Sequence, residues 1–304
     1  MKYLNLIRWK NLLMIALVQL LIKFALLESF HVSTSLNGLG FLLLILATIC
    51  IAAAGNVIND ICDINTDFIN KPDKLIVSKS ISEQTAYNLF IAFNVIGVGL
   101  GYYLSFSIGK SGFFAVFVII SVLLYIYATH LKQLFLIGNI IVSVLVACSI
   151  LIVGLFDILP AITATNQSTQ LFFFKILFNY ALFAFVINLL REIAKEIEDL
   201  EGDKKTGMYT LPIVMGQQTT TYILFGLTIT STIVFFFYIL DSLYKNSFVS
   251  LYFITLIIGP MLYTSIKIFM AKSKKDFRHI SNLFKIIMLF GMLSLLLYKY
   301  ILIK

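Results

Sequence analysis

Apolar residues recur along this chain in runs long enough to cross a lipid bilayer, and short polar segments separate the runs. A transmembrane helix needs roughly 20 mainly apolar residues, whereas a transmembrane strand needs only about half as many. The runs therefore predict a helical bundle. We count nine of them, near residues 11–28, 38–58, 86–107, 112–129, 135–156, 171–190, 219–240, 249–270 and 283–303.

The organisation of these runs predicts an all-α, multi-pass transmembrane bundle of nine helices. The first run lacks a small-residue cleavage site, so we expect a retained span rather than a signal peptide. The run at 112–129 is the shortest, and without it the count falls to eight. No long polar region intervenes, so we expect residues 1–304 to form a single integral-membrane domain. Gly97 and Gly101 have the spacing of close helix packing.

Composition agrees with a membrane protein: hydrophobic residues make up 60% and charged residues 12% of the chain. The net charge of +8 could suggest nucleic acid as a partner, but its distribution follows membrane orientation. With the N-terminus in the cytosol, fifteen Lys and Arg fall on inner segments and three on outer ones. We therefore expect a cell-membrane protein with a cytosolic N-terminus and no nucleic-acid partner.

The carboxylates are concentrated in two short segments. Of the fifteen Asp and Glu residues, five lie within residues 56–83 and six within 192–203. These segments follow the second and sixth runs, so both face the same, cytosolic side. Clustered carboxylates repel one another unless positive charge lies between them. The distribution thus indicates a cation-dependent site at the inner membrane surface.

The spacing within each segment places its polar groups on one helix face. Positions 56, 60, 63 and 67 are separated by four, three and four residues, and positions 192, 196, 199 and 203 repeat this spacing. We expect the first face to continue the helix of the second run outward. Glu198 and Glu201 point elsewhere, and we expect both to be solvated.

Oxygen ligands without histidine favour Mg²⁺ over zinc or iron. Mg²⁺ uses one or two carboxylates and completes its coordination with water and phosphate oxygens. Basic residues adjoin both segments and could neutralise a diphosphate; they are Lys71, Lys74, Lys79, Lys132, Lys195, Lys204 and Lys205. Lys285, within the last run, is expected to extend toward the membrane surface.

The residues of the two acidic segments resemble the sequence motifs of a known family. NDICDINTD, from Asn59 to Asp67, resembles the NDxxDxxxD motif of the UbiA superfamily of intramembrane prenyltransferases, and INKPDKLI resembles its INRPDRPI. DLEGD, from Asp199 to Asp203, is similar to its DxxxD motif, and GDKKTGMYTLPIVMG to the residues that follow. The second segment looks most like the digeranylgeranylglyceryl phosphate synthase-like members.

The resemblance implies a UbiA-like fold and a site for prenyl transfer that uses Mg²⁺. A polyprenyl diphosphate would be the donor, membrane lipid would surround its apolar tail, and the acceptor would be a lipid or an aromatic compound. The metal ligands implied are Asn59, Asp63, Asp67, Asp199 and Asp203. The catalytic residues expected are Asp60, Glu196 and Lys132, and the substrate-binding residues are Lys74, Lys132, Lys195 and Tyr127.

Several positions depart from the family pattern: Leu75 and Lys79 replace a Pro and a Gly of the loop, and three expected site residues also differ. Glu196 stands where relatives often have Asp, and Lys74 replaces an Arg, so a point charge takes the place of a bidentate fork. Tyr127 precedes Lys132 by five residues, whereas the family spacing is four. The departure at Glu196 affects its expected role as a metal ligand or a general base. Those at Lys74 and Tyr127 affect the expected contacts with the diphosphate.

Alternatives remain for the acceptor and for the class of protein. A geranylgeranylglyceryl phosphate-like acceptor needs extra cations, whereas an aromatic acid of quinone biosynthesis, such as 4-hydroxybenzoate or a naphthoate, needs one cation and an apolar slot. A cation transporter would also use membrane carboxylates, but it predicts them near the centres of spans. Here they lie at span ends beside lysines, which favours a phosphate ligand.

Overall fold

The computed structural model describes residues 1–242 and 246–302, apart from the side chains of Lys74, Ser242 and Leu302. Within these ranges nine helical segments are long and apolar enough to span a membrane, as predicted, including the short fourth one. We label them α1 (Trp9–Phe30), α2 (Gly38–Cys62), α3 (Glu83–Ser107), α4 (Ser111–Thr129), α5 (Ile137–Ala161), α6 (Gln167–Lys205), α7 (Gln217–Asp241), α8 (Ser247–Met270) and α9 (Lys274–Ile301).

Side-chain caps define where several of these helices begin. The Asn37 side chain accepts a hydrogen bond from the backbone N–H of Gly40 at 2.8 Å, which starts α2. Ser82 plays the same role for α3. Ser273 and Asp276 form a reciprocal capping box at the start of α9. The described chain also has three short α-helices outside the spans, Lys2–Leu6, Ile64–Asn70 and Leu211–Met215.

Helix α6 lies at the centre of the bundle and packs against α5 and α9. Its buried face includes Ile187, Leu190 and Ile193, and α9 contributes Phe277 and Phe284 to the same apolar cluster. The helix is 39 residues long and runs well beyond the predicted run at 171–190. The whole second acidic segment is therefore helical and rests on a rigid, buried support.

Close packing of α2, α3 and α4 depends on glycine. A Cβ atom at Gly97 would lie 2.6 Å from Ile51 Cγ1 on α2, and one at Gly101 would collide with the ring of Phe117 on α4. The interpretation of these glycines as packing residues is confirmed. Many large apolar side chains on the outer faces are exposed, such as Val95 and Phe269, as a lipid-facing surface requires.

An ion pair joins α1 and α5 at the end of the bundle opposite the acidic segments. Lys23 Nζ lies 2.8 Å from Asp157 Oδ2, and both side chains are buried. Lys23 also donates to the backbone carbonyl of Leu36, whose N–H donates to Asp157 Oδ1 at 2.9 Å. Both charged residues lie in π-helical turns, Leu21–Leu27 and Gly154–Ile158.

Candidate active site

The first acidic segment bends where its helix was predicted to run straight. Helix α2 ends at Cys62, Asp63 forms the junction with φ −93° and ψ 4°, and the short helix Ile64–Asn70 follows. The expectation of one uninterrupted helix is therefore wrong. The bend still leaves Asn59, Asp63 and Asp67 on a common cavity, and Asn59 Nδ2 donates to Asp63 Oδ2 at 2.7 Å.

The second acidic segment faces the same cavity from α6. Glu192, Glu196, Asp199 and Asp203 all line it, as their spacing along one helix face predicts. Asp203 lies within electrostatic range of Asp199 and of Asp63 across the cavity. Glu198 does not follow the expectation of solvation: its side chain is buried and pairs with Arg278 Nε at 2.8 Å. Glu201 is exposed, as expected.

One asparagine holds the two segments together. Asn70 Nδ2 donates to the carbonyl of Asp199 at 2.8 Å, and Asn70 Oδ1 accepts from the N–H of Gly202 at 2.9 Å. A Cβ atom on residue 202 would collide with the Asn70 amide. The glycine of the DLEGD sequence therefore permits this contact, which sets the register between Ile64–Asn70 and α6.

Several carboxylates of the site are paired with cations. Asp60 Oδ1 lies 2.8 Å from Arg8 Nη2, and Asp199 Oδ2 lies 2.7 Å from Lys71 Nζ. Asp63 pairs with Lys132, whose side chain is 9% exposed. Lys132 comes from the turn between α4 and α5. Basic groups from three separate parts of the chain thus converge on the acidic segments.

Asp67 and Asp203 make no ion pair within 4.0 Å among the described side chains. Burial, together with the nearby charge of Asp63, raises the pKa of Asp67 to about 6. Burial opposes the charged form of Lys71, but the ion pair with Asp199 outweighs it and raises the pKa of that lysine. Asp67 and Asp203 therefore need a cation more than the carboxylates that already have an ion-pair partner.

The donor chemistry fits a hard divalent cation shared with a ligand. Within residues 1–242 and 246–302, no three His, Cys, Asp or Glu side chains converge as a metal site made by protein alone. Mg²⁺ does not require one, since it takes one or two carboxylates and completes its shell with water and phosphate. Asp199 Oδ1 is buried without a hydrogen-bond partner, as a metal-ligating oxygen would be in a metal-free protein.

The cavity has a volume of about 1260 Å³ and a lining of two kinds. The acidic segments and their lysines line it together with apolar side chains of the bundle interior, among them Phe117, Leu145 and Met292. A polar head group and an apolar chain could thus share one continuous space. This combination suits an amphiphilic substrate that carries phosphate.

Sequence comparison identifies the family. The profile of the UbiA prenyltransferase family matches residues 12–298. The chain belongs to this family. It is therefore a membrane prenyltransferase with a UbiA fold, as the motif resemblance implied, and the hypothesis of a cation transporter is set aside.

Similar proteins span almost the whole chain. The digeranylgeranylglyceryl phosphate synthase of Methanosphaera stadtmanae is 32% identical over 258 residues, which cover 83% of this chain and 86% of that one. A solved structure described as digeranylgeranylglyceryl phosphate synthase in membranes aligns with a TM-score of 0.64 and 26% identity, over 97% and 96% of the chains. A UbiA homologue from Archaeoglobus fulgidus, bound to GPP and Mg²⁺, aligns with a TM-score of 0.56 and 17% identity, over 97% and 99%.

The remaining predicted UbiA-site residues lie on the same cavity where their side chains are described. Glu196 Oε2 is buried there without a hydrogen-bond partner, Tyr127 is half-buried, and Lys195 Nζ lies 2.8 Å from Glu192 Oε2. Lys74 was predicted to bind substrate, but its side chain lies outside the described part of the structure. The individual roles of these residues stay predictions.

Several cavity residues escaped the sequence reasoning. Arg8 was counted only as a cytosolic charge, and Lys285 was expected to extend to the membrane surface, yet both line the cavity. Asn70 and Asn139 were not singled out. An asparagine inside an apolar run, as at Asn139, is a usable signal because a buried amide needs a partner. The contacts of Arg8 and Asn70 with other segments leave no such signal in the sequence.

Proposed function

We propose that this UbiA-family enzyme transfers an isoprenyl group from a polyprenyl diphosphate to the hydroxyl group of a phosphate-bearing glyceryl lipid. The observation that carries the proposal is the meeting of two acidic segments, with Lys71 and Lys132, on one cavity that also has an apolar lining. The name of the Methanosphaera relative supports the glyceryl phosphate acceptor, and the GPP and Mg²⁺ held by the Archaeoglobus homologue support the donor.

Mg²⁺ is the proposed cofactor. Asn59, Asp63 and Asp67 would hold one ion, and Asp199 and Asp203 another. Bound there, the ions would neutralise the charge that develops on the leaving diphosphate. The buried, unpartnered Asp199 Oδ1 and the raised pKa of Asp67 support this assignment, because both favour a bound cation.

The lysines would exchange partners when substrate binds. Lys132 and Lys71 pair with Asp63 and Asp199 in the structure. Once those carboxylates are neutralised by other cations, the ammonium groups become available to donate to the diphosphate oxygens. The same lysines thus keep the acidic cluster stable before binding and bind phosphate afterwards. Lys74 and Tyr127 are the further donor-binding residues proposed.

The proposed reaction is substitution at the allylic carbon of the donor. The bond from that carbon to the diphosphate breaks and its electron pair leaves with the diphosphate. An oxygen lone pair of the acceptor hydroxyl forms the new carbon–oxygen bond, and the hydroxyl proton passes to Glu196. Glu196 suits this role because it lines the cavity and its Oε2 has no hydrogen-bond partner. Asp60, held by Arg8, would support the adjacent metal ligands.

We also propose that residues 1–304 form one catalytic domain whose N-terminus and active site face the cytosol. The excess of Lys and Arg on the segments predicted to be inner supports this orientation. A reporter fused after residue 206 should read as cytosolic. An extracytoplasmic signal from that fusion would contradict the orientation.

An assay with purified protein in nanodiscs tests the activity. The protein is given radiolabelled isoprenyl diphosphates, Mg²⁺ and a panel of acceptors: a prenylglyceryl phosphate, its phosphate-free alcohol, 4-hydroxybenzoate and a dihydroxynaphthoate. We expect prenylation of the glyceryl phosphate, and its loss with EDTA or in Asp63→Ala. If the folded protein releases no diphosphate with any acceptor, the assignment as a prenyltransferase is overturned. If it prefers an aromatic acid, the proposed glyceryl phosphate acceptor is overturned.

A further inference from the structure

A group of basic side chains lies on the same cavity, beside the acidic segments. Arg191 and Lys195 come from α6, Lys285 from α9, Lys10 from α1, and Arg8 directly precedes α1. Lys195 lies within electrostatic range of Arg191 and Arg8, and Lys285 within range of Arg191 and Lys10. We call these five residues the basic cluster.

The basic cluster has too little negative charge of its own. Glu192 lies between two of its members, 2.7 Å from Arg191 Nη1 and 2.8 Å from Lys195 Nζ. Arg8 forms an ion pair with Asp60, which belongs to the first acidic segment. Among the described residues, Lys10 and Lys285 have no carboxylate within 4.0 Å, and Lys285 Nζ donates instead to Asn11 Oδ1 at 2.6 Å. Within 4.0 Å, therefore, only two carboxylates pair with the described side chains of these five cations.

Like charges brought together in a partly desolvated cavity repel, so the arrangement is costly without an anion. Arg191 and Lys195 are only 20% and 30% exposed, which limits the relief that water can give. Membrane orientation alone would be served equally well by cations at the exposed ends of helices. Lys10 is exposed, but Arg191, Lys195 and Lys285 are partly buried in the cavity, and this placement indicates a bound anionic group.

The lysines of the acidic segments are separate from this cluster. Lys71 and Lys132 pair with Asp199 and Asp63, on the side of the cavity formed by Ile64–Asn70 and the turn before α5. The basic cluster is built on α1, α6 and α9 instead. The cavity therefore offers two anion sites, and only one of them includes the metal-ligand candidates.

We infer that Arg191, Lys195 and Lys285, with Arg8 and Lys10, form a subsite for the phosphate monoester of the acceptor, separate from the diphosphate site of the donor. This inference rests on the proposed function. A phosphate monoester carries close to two charges at neutral pH and accepts several hydrogen bonds, which suits two arginine forks and three ammonium groups. A benzoate-type carboxylate carries one charge and would leave most of the cluster unneutralised.

Steady-state kinetics of Lys285→Gln and Arg191→Gln test the subsite in the nanodisc assay. We expect KM for the prenylglyceryl phosphate to rise about ten- to a hundredfold, because each substitution removes one charge-assisted hydrogen bond to the phosphate. KM for the donor should not change, and preference for the phosphorylated acceptor over its phosphate-free alcohol should fall by the same factor. Lys285→Arg should restore most of the preference. Lys275→Gln, at an exposed lysine on the same helix α9 that does not line the cavity, serves as the matched control.

A binding experiment separates the possible sources of the phosphate. Glycerol 3-phosphate should compete with the acceptor and not with the donor in the unmodified protein, and Lys285→Gln should weaken this competition. A cluster that binds anionic lipid would instead lose activation by phosphatidylglycerol nanodiscs in Lys285→Gln while keeping its acceptor KM, and that result would overturn the inference.

The two proposals fail in different ways. If the unmodified protein prenylates the glyceryl phosphate but Lys285→Gln and Arg191→Gln, verified as folded by their melting curves, keep its acceptor KM, the subsite is wrong and the function stands. If the unmodified protein uses no phosphorylated acceptor and glycerol 3-phosphate does not bind, both are wrong. Binding of glycerol 3-phosphate that depends on Lys285, without turnover, would support the subsite and contradict only the function.

Discussion

The side-chain amide of Asn70 bonds to the backbone of α6 on the face where Gly202 has no side chain. Its two atoms reach the carbonyl of Asp199 and the N–H of Gly202, at 2.8 and 2.9 Å. Both acidic segments are thereby fixed relative to each other by backbone contacts that involve no carboxylate. The geometry of the metal-ligand candidates can therefore be disturbed without touching any of them.

Gly202→Ala tests this contact. The added methyl group would displace the Asn70 amide, break both hydrogen bonds and shift Ile64–Asn70 away from α6. We expect a loss of stability of about 1–3 kcal/mol and a larger, at least tenfold, loss of kcat. Thermal melting in detergent and the transfer assay measure the two effects. Gly226→Ala on α7, where a Cβ meets open space, is the matched control; it should leave kcat unchanged and should not lower the melting temperature.

A double variant distinguishes displacement from simple overpacking. Asn70→Ala removes the side chain that the new methyl group would strike. Combined with Gly202→Ala, it should recover part of the stability but none of the activity, because the link between the segments stays broken. Full activity in the double variant would show that the Asn70 contact does not position the site.

Removal of single carboxylates tests the metal ligands. Asp67→Asn and Asp203→Asn keep side-chain shape but remove the charge that a divalent cation needs. We expect each to lower Mg²⁺-dependent turnover by at least about a hundredfold while leaving the melting temperature nearly unchanged. Glu201→Gln, an exposed carboxylate between Asp199 and Asp203, should retain activity. Normal turnover in either Asp variant would exclude that residue as a ligand.

The raised pKa of Asp67 predicts a pH dependence of metal binding. In the folded, metal-free protein this carboxyl is protonated below a pH of about 6, whereas the ordinary value is 3.8. Between these values the folded state holds the proton more tightly, so this group favours folding of the metal-free protein at acidic pH and that contribution is lost as pH rises through 6. Mg²⁺ must then displace the proton.

Apparent Mg²⁺ affinity should therefore fall by up to roughly tenfold per pH unit below 6 and be nearly constant above 7.5. Calorimetric titration with Mg²⁺ and a non-hydrolysable diphosphate measures this slope. In Asp67→Asn the affinity should be weak and its slope shallower. A slope that is the same in the variant would mean that another group takes up the proton.

Glu196→Gln tests the proposed base. The amide keeps the size of the side chain but cannot accept the hydroxyl proton, so kcat should fall about 10²- to 10⁴-fold with little change in the donor KM. Glu196→Asp should recover part of the activity, since it keeps a carboxylate that can accept the proton. Unchanged kcat in Glu196→Gln would remove the residue from the proton transfer.

The buried pair of Lys23 and Asp157 should affect stability and not catalysis. Lys23→Met or Asp157→Leu leaves an uncompensated buried charge, at a cost of about 3–5 kcal/mol. The two substitutions together remove both charges and should cost much less. Melting curves of the three variants measure this pattern, and KM for both substrates should stay constant. Equal destabilisation in the double variant would show that the neighbouring bonds to Leu36 matter more than the pair.

The sequence predicted the spans and the face of α6 that carries the carboxylates, because each depends on local periodicity. Nine apolar runs became nine helices within the described residues, and the spacing of Asp199 and Asp203 gave the correct face of α6. What lies opposite a face depends on tertiary packing. Glu198 was expected in solvent but meets Arg278, 80 residues away, and Arg8 reaches Asp60 across 52 residues.

The bend at Asp63 has a related explanation. The polar residues from Asn56 to Asp67 keep helical spacing along the sequence. Nothing in this pattern therefore indicates the change of backbone direction at Asp63. Contacts made elsewhere, such as those of Asn70 with α6, hold the short helix at its angle. A local pattern cannot report a constraint that arises from another helix.

Helix α6 carries the second acidic segment and also two residues of the basic cluster. Helices α1 and α9 contribute to the basic cluster but not to the acidic segments. A change in α6 would therefore alter the handling of both substrates at once. Redesign of the enzyme for a new acceptor should begin on α1 and α9, at positions such as Lys10 and Lys285, where variation leaves the chemistry of the donor intact. Natural divergence of acceptor choice within this architecture would follow the same two helices.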